Sequence, residues 1–395
     1  MVKKGENTMK QINRPEITEE EILQALNFAS NQVIENLEDY THHFQTIYTD
    51  GNFYNKMENV EWTTGFWTGE VWLAYEHTGD ERCREAGMVH MESFLDRIDR
   101  KIDVDHHDMG FLYSPSCVAG YKLIGSSIGK EAALKAAKQL VSRFQPKGEF
   151  IQAWGKMGEK NNYRFIIDCL MNLPLLYWAY EETRDETFRQ VAEKHITTTM
   201  KYVIREDGST WHTFFFDPET GAPDHGATKQ GYRDGSAWGR GQAWGIYGSA
   251  MAYRYTGREE YIETFKRVTE YYLSHLPTDI VPYWDLEFQQ DSVQPRDSSS
   301  GVIAVCGMLE MIKYLPSEDQ EYYRSAAKRL LKVLYDECAV KDREVSDGLL
   351  LHGTYSKKSK FNQCSNHGID ECNAWGDYFY MEALTRLSKT WEPYW

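Results

Sequence analysis

The chain has 395 residues and is 41% hydrophobic, enough for one large core or two smaller ones. A formal net charge of −16 argues against nucleic acid as a partner, and an anionic ligand would need a local cluster of Arg, Lys and His set against that field. Aromatic content is 14%, with 12 Trp and 26 Tyr, a surplus usual in clefts that stack on sugar rings, although most of these rings must be core.

The opening MVKKGENTMKQINRPE has no apolar stretch, so residues 1–17 read as an extension and not as a secretory signal. No apolar run reaches membrane-spanning length. The seven Cys include no CxxC, and the nearest pair, Cys364 and Cys372, lacks the second pair that a structural zinc site needs. Reduced thiols in a cytoplasmic protein, with no metal and no cofactor, are the expectation.

From there the chain repeats. An amphipathic segment at 18–37 precedes the first of a series of joins, in which an apolar helix ends, a polar turn follows and a charged helix begins. The joins read LAYEHTGDERCREAG (73–87), GYKLIGSSIGKEAALKAA (120–137), WAYEETRDETFRQVA (178–192), MAYRYTGREEYIETF (251–265) and a looser MIKYLPSEDQEYYRSAA (311–327). A sixth, EALTRLSKT (382–390), stops at the last residues. Helical period is plain in Ala132, Ala133, Ala136, Ala137 and Leu140, and in Tyr261, Phe265, Val268 and Tyr272. Strand signals are few, as at Thr213–Phe216. Six apolar and six charged helices predict an all-α (α/α)6 toroid over residues 18–395, with the apolar helices inside; an open solenoid is the alternative.

The phase of the repeat points to a site. Stepping back about thirteen residues from the Tyr that ends each apolar helix reaches Trp62, Asp108, Asp168, Arg240, the Ser298–Ser300 run and Asp370–Glu371. In a closed ring these starts converge on one face, where helix N-termini favour an anionic ligand. Long insertions fall just before the same positions. They cover 142–167 with Trp154, 205–239 with His212, Lys229 and Gln230 among others, and 341–371, and they read as rim loops.

Each residue also has a plain structural reading. His106-His107-Asp108 is more often a solvated turn than a metal site, and no ligand spacing supports metal. Trp238, Trp244 and Tyr247 sit at helical spacing, which usually means core. Gly239, Gly241 and Gly245 lack the strand and the Lys-Ser/Thr of a phosphate loop. Asp168, in IIDCLMNLP, precedes a long apolar run. It is either a helix N-cap, the commoner use, or a carboxyl whose apolar flank raises its pKa so that it holds a proton near neutrality.

The segments HDMGFLYSPS (107–116), IIDCLMNLP (166–174), WHTFFFDPETG, GYRDGSAWGRGQAWGIYG, PRDSSSGVIAVCG (295–307) and IDECNAWGDYFYMEAL (369–384) resemble unsaturated glucuronyl hydrolases. The resemblance runs from about Trp62 to the last residue. It implies an (α/α)6 barrel that hydrolytically removes the 4,5-unsaturated uronic acid from lyase-generated glycosaminoglycan di- and oligosaccharides, of chondroitin or hyaluronan type. By it, Asp168 is the general acid/base and Asp108 the second essential carboxylate. Trp62, Trp154, His212, Gln230, Arg240 and Trp244 line the sugar subsite. Relatives that accept sulfated sugars carry Ser and Lys in a late loop, for which Ser356, Lys360 and Ser365 are the candidates here.

The implied chemistry is hydration of a vinyl ether: a proton goes to C4, water adds at C5, and the hemiketal opens. Asp168, on its apolar flank, suits the protonated role, and Asp108, in a polar turn, the ionised one. An unsaturated rhamnogalacturonyl hydrolase is the nearer alternative. A sugar epimerase on the same toroid is more remote, since it would use histidines where these helix starts offer aspartates. A non-catalytic sugar-binding module is weaker still, because paired carboxylates cost stability without catalytic use.

Overall fold

The structure, a computed structural model, describes residues 12–290 and 292–395. Of the expected extension 1–17, residues 1–11 lie outside the described residues. Ile12 and Ile17 are buried, and the Ile17 amide donates to Lys328 O (3.3 Å).

Among the described residues, twelve helices alternate between an outer and an inner layer. The outer layer is α1 (Glu19–Tyr40), α3 (Glu81–Asp99), α5 (Ser127–Ser142), α7 (Glu186–Val203), α9 (Glu260–Ser274) and α11 (Ser317–Glu337). The inner layer begins with α2 (Thr64–Thr78). Next comes α4, built from Met109–Tyr113, a π-turn at Ser114–Val118 and Ala119–Ile124, and then α6, built from Cys169–Asn172 and Pro174–Thr183. It ends with α8 (Gly239–Thr256), α10 (Ser298–Met311) and α12 (Ala374–Ser388). Each inner helix packs on the next, and α12 packs back on α2, so the ring closes. The expected toroid is present, and the open solenoid is excluded.

The repeated join has a specific hydrogen bond behind it. In four copies the chain leaves the inner helix through a left-handed residue whose N–H donates to the carbonyl of the repeat's Tyr. These are Gly79 to Tyr75, Gly125 to Tyr121, Arg184 to Tyr180 and Gly257 to Tyr253. Asp80, Ser126 and Asp185 then cap the next outer helix. The fifth join looked looser because Ile312 keeps a right-handed conformation and Pro316 starts α11. Outer helices bury a stripe, as in α5 with Ala132, Ala133, Ala136, Ala137 and Leu140. Inner helices are buried all round except in their last turns, and α10 has no exposed residue.

Aromatic rings fill the axis. Phe111 lies 5.2 Å from Trp244, 5.3 Å from Phe66 and 6.1 Å from Trp395, and Trp395 stacks on Phe379 at 5.7 Å. At one mouth the inner helices touch through glycine. A methyl group at Gly65 would collide with Phe111 O, and one at Gly110 with the Asn172 backbone. The inner helices that follow Asp108 and Asp168 are each interrupted by a proline, Pro115 or Pro174, which cannot donate an amide hydrogen.

Two short antiparallel pairs come first in the chain, β1 (Phe44–Gln45) with β2 (Lys56–Met57) and β3 (Phe144–Gln145) with β4 (Phe150–Ile151), and the long insertions are hairpins over this mouth. β5 (Arg164–Ile166), β6 (Thr213–Phe216) and β7 (Pro223–Ala227) form an antiparallel sheet, and β6 has the bounds expected for it. β8 (Gly353–Ser356) pairs with β9 (His367–Glu371).

Candidate active site

Above the glycine contacts lies a cleft of about 610 Å³. Its floor comes from inner-helix starts: Trp62, Asp108, Asp168, Trp238 and Arg240 all line it. Its walls come from the hairpins, through Trp154, His212, Lys229, Gln230, Tyr355, Ser356, Ser365 and His367.

Asp108 and Asp168 occupy the N-cap positions of α4 and α6, yet neither carboxyl accepts a first-turn N–H. The capping role is therefore unused in both. Asp168 Oδ2 is buried with no hydrogen-bond partner in the protein. Burial raises the Asp168 carboxyl to about 7, and the charge of Asp108 adds to this, while Arg240 opposes it. Burial pushes Asp108 up as well, but His107, His106 and Asn172 outweigh it and hold Asp108 below its ordinary value. His107 Nε2 lies 3.3 Å from Asp108 Oδ1, and Asn172 Nδ2 lies 3.4 Å from the same oxygen. His106 Nδ1 is 3.3 Å from Oδ2 and accepts the Asp108 backbone N–H at 3.1 Å. Two neighbouring carboxyls are thus shifted in opposite directions, Asp168 up and Asp108 down.

His212 is buried, and its Nδ1 accepts the backbone N–H of Lys229 (3.0 Å) and Gln230 (3.1 Å). Burial, with Arg164 and Arg240 nearby, holds the ring neutral, which leaves Nε2–H as its donor. Gln230 Nε2 donates to Tyr355 O (2.9 Å). Arg240 spends three N–H groups on protein: on Asp297 Oδ2 (2.7 Å), Thr354 O (2.8 Å) and Tyr355 O (2.8 Å). Its guanidinium is sandwiched by Trp238 and Trp375. Arg240 therefore anchors the β8 strand as well as lining the cleft. Trp62 stacks on Trp375 (5.2 Å, 24°), and Trp154 carries the cations of both Arg164 and Lys229 on its ring.

Several expectations need correction. Trp244 does not line the cleft. It sits one helical turn beyond Arg240, fully buried beneath the floor, and its indole helps hold charge on Asp168 without a hydrogen bond of normal geometry. Ser298–Ser300 are wholly buried and bonded to Leu351 O, Asp297 and Tyr272. The residue of that segment that bears on the site is Asp297, the partner of Arg240. Asp370 and Glu371 belong to β9. Asp370 meets His352 (2.6 Å), Glu371 binds the 49–52 turn, and the sixth inner helix instead starts at the Asn373 cap. Lys360 is exposed over Phe361 (4.9 Å), while Lys229, from the opposite hairpin, supplies the cleft's lysine. Ser356 Oγ donates to Ser365 O (2.8 Å), and both residues line the cleft. Sequence reasoning also missed Asn172, whose signal was a single amide inside an apolar run.

Residues 33–368 match the family described as Glycosyl Hydrolase Family 88. The chain is 50% identical over 381 residues, 96% of its length and 94% of the relative's, to the unsaturated chondroitin disaccharide hydrolase of Streptococcus pyogenes serotype M1. Among solved structures it is similar to an unsaturated glucuronyl hydrolase from Streptococcus agalactiae, with a TM-score of 0.94, 47% identity, and coverage of 99% of this chain and 97% of that one. A mutant of the Streptococcus agalactiae protein, complexed with dGlcA-GalNAc6S, matches with a TM-score of 0.86, 43% identity and the same coverage.

Proposed function

The chain belongs to glycosyl hydrolase family 88 and is a glycoside hydrolase; we propose that it removes the 4,5-unsaturated uronic acid from glycosaminoglycan disaccharides of chondroitin or hyaluronan type. The observation that carries this reading is the unequal carboxyl pair on the cleft floor, with Asp168 raised to about 7 beside a lowered Asp108. The substrate is a vinyl ether with its double bond conjugated to a carboxylate, so the enzyme must protonate carbon before water can add.

Asp168 gives its proton to C4. Positive charge then develops across C5 and the ring oxygen, and ionised Asp108 stabilises it. Water adds at C5 and surrenders a proton to the Asp168 carboxylate, which restores the acid. The hemiketal opens, and the glycosidic bond is lost with it. The substrate carboxylate and hydroxyls take the remaining donors of Arg240, the Nε2–H of His212 and the side chain of Gln230. Trp62 and Trp154 supply ring faces for stacking. The second sugar lies outward, against Ser356, Ser365 and Lys229. The Streptococcus agalactiae complex with dGlcA-GalNAc6S supports a sulfated sugar there. The seven cysteines are buried free thiols, which supports a reducing, cytoplasmic setting.

The test is loss of the ultraviolet absorbance of the conjugated double bond in lyase-generated disaccharides. Saturable bleaching by the wild-type protein, absent in Asp168→Asn, is expected. No bleaching of any glycosaminoglycan-derived disaccharide would overturn the substrate class.

A further inference from the structure

The starts of α4 and α6 are held together by one side chain. Asn172 is buried on the first turn of α6. Its Oδ1 accepts the Phe111 backbone N–H at 2.8 Å, which fixes the amide so that Nδ2 faces the other way. Nδ2 reaches Asp108 Oδ1 at 3.4 Å and the Asp168 carbonyl oxygen at 3.2 Å. The backbones also meet here, since Gly110 leaves no room for a Cβ against Asn172. One amide thus grips the helix that carries Asp108 and the turn that carries Asp168.

We propose that Asn172 is a positioning residue, which sets Asp108 and Asp168 at a fixed separation and supplies one of the donors that keep Asp108 ionised. This rests on the reading of Asp168 as proton donor. Asn172 touches no substrate and acts through the two carboxyls. The side-chain nitrogens gathered at the Asp108 carboxyl are those of His106, His107 and Asn172. Removing one lets Asp108 take a proton more readily.

The experiment compares kcat and KM across pH for wild type, Asn172→Ala and Asn172→Asp, with folding followed by circular dichroism and thermal melting. Asn172→Asp keeps an acceptor for Phe111 and turns an oxygen toward Asp108, so it preserves the helix contact while removing the donor. Both variants are expected to lose kcat by on the order of ten- to a hundred-fold, the scale of a hydrogen bond to a charged group, with KM little changed. The acidic limb of the kcat profile should move up in both variants, while in Asn172→Ala the alkaline limb keeps its place. A purely structural Asn172 would lower activity or the melting temperature with both limbs in place, and that result overturns the proposal. So would unchanged kcat, or failure of both variants to fold. Asp168→Asn is run alongside. If it retains turnover, the catalytic reading fails; if it is inactive while the Asn172 variants keep the wild-type profile, only the present inference fails.

Discussion

Arg240 Nη1 lies 2.7 Å from Asp297 Oδ2, and both side chains are shut inside the protein, at 1% and 0% exposure. Breaking such a pair strands one charge in a low-dielectric setting and costs about 3–5 kcal/mol. Arg240→Ala is therefore expected to destabilise the fold on that scale as well as to raise KM. Adding Asp297→Ala should recover part of the stability and none of the KM. Urea unfolding and saturation kinetics on both variants separate the two effects. A wild-type unfolding midpoint for Arg240→Ala would remove the ion pair as an anchor of β8.

Asp168→Asn keeps shape but has no carboxyl proton to give. Loss of general acid catalysis costs on the order of a hundred- to ten-thousand-fold in kcat, with folding and substrate binding retained. Asp108→Asn should be severe through lost charge stabilisation, and the double variant should fall far short of the product of the two effects, because both groups serve one transition state. Multiplicative losses in kcat would show that the two aspartates act separately.

Stability should also report Asp168. Its carboxyl is at about 7 in the folded chain against an ordinary 3.8, and buried Asp377 is likewise raised to about 7, with buried Glu70 raised well above its usual value. Between those values the folded state holds protons that the unfolded state has released. This contribution is thus fully present below about pH 4 and is lost as pH rises through about 7. Asp168→Asn removes its share of that loss. The variant should melt above wild type at about pH 8, and the gap should shrink below about pH 7 and close by about pH 4. A constant offset across that range would mean that Asp168 does not titrate there.

The lysine that meets the second sugar is expected to be Lys229. On a sulfated disaccharide, Lys229→Ala should raise KM roughly ten-fold, the scale of one charged hydrogen bond, with a smaller change on the unsulfated one. Lys360→Ala should leave both near wild type. The reverse pattern would return the role to the late loop.

Periodicity made the ring legible because four of the joins repeat the same C-cap bond to a Tyr carbonyl, and such local chemistry leaves a mark at fixed spacing. The same phase brought Trp62, Asp108, Asp168 and Arg240 to one floor. Trp244 was placed in the subsite by the resemblance alone, while its helical spacing pointed to core, and it lies fully buried. Ladders of two residues, such as Phe144–Gln145 with Phe150–Ile151, are too short to show alternation. Lys360 falls outside the cleft that Lys229 lines, because the late loop's course depends on the pairing of β8 with β9, a long-range contact that no local pattern encodes. Asp297 was overlooked beside a serine run whose hydroxyls turned out to be internal ties.

The glycine contacts at the mouth divide the cleft into two parts with different evolutionary freedom. Where Gly65 meets Phe111 and Gly110 meets Asn172, backbone rests on backbone, and even one added methyl has nowhere to go. The floor is therefore closed to gradual enlargement. The hairpins bearing Lys229 and Ser365 stand above it on loops that tolerate exchange. Descendants of this chain, natural or bred in the laboratory, should diversify in which saccharide they accept by rewriting those hairpins, while the proton chemistry beneath is inherited unchanged.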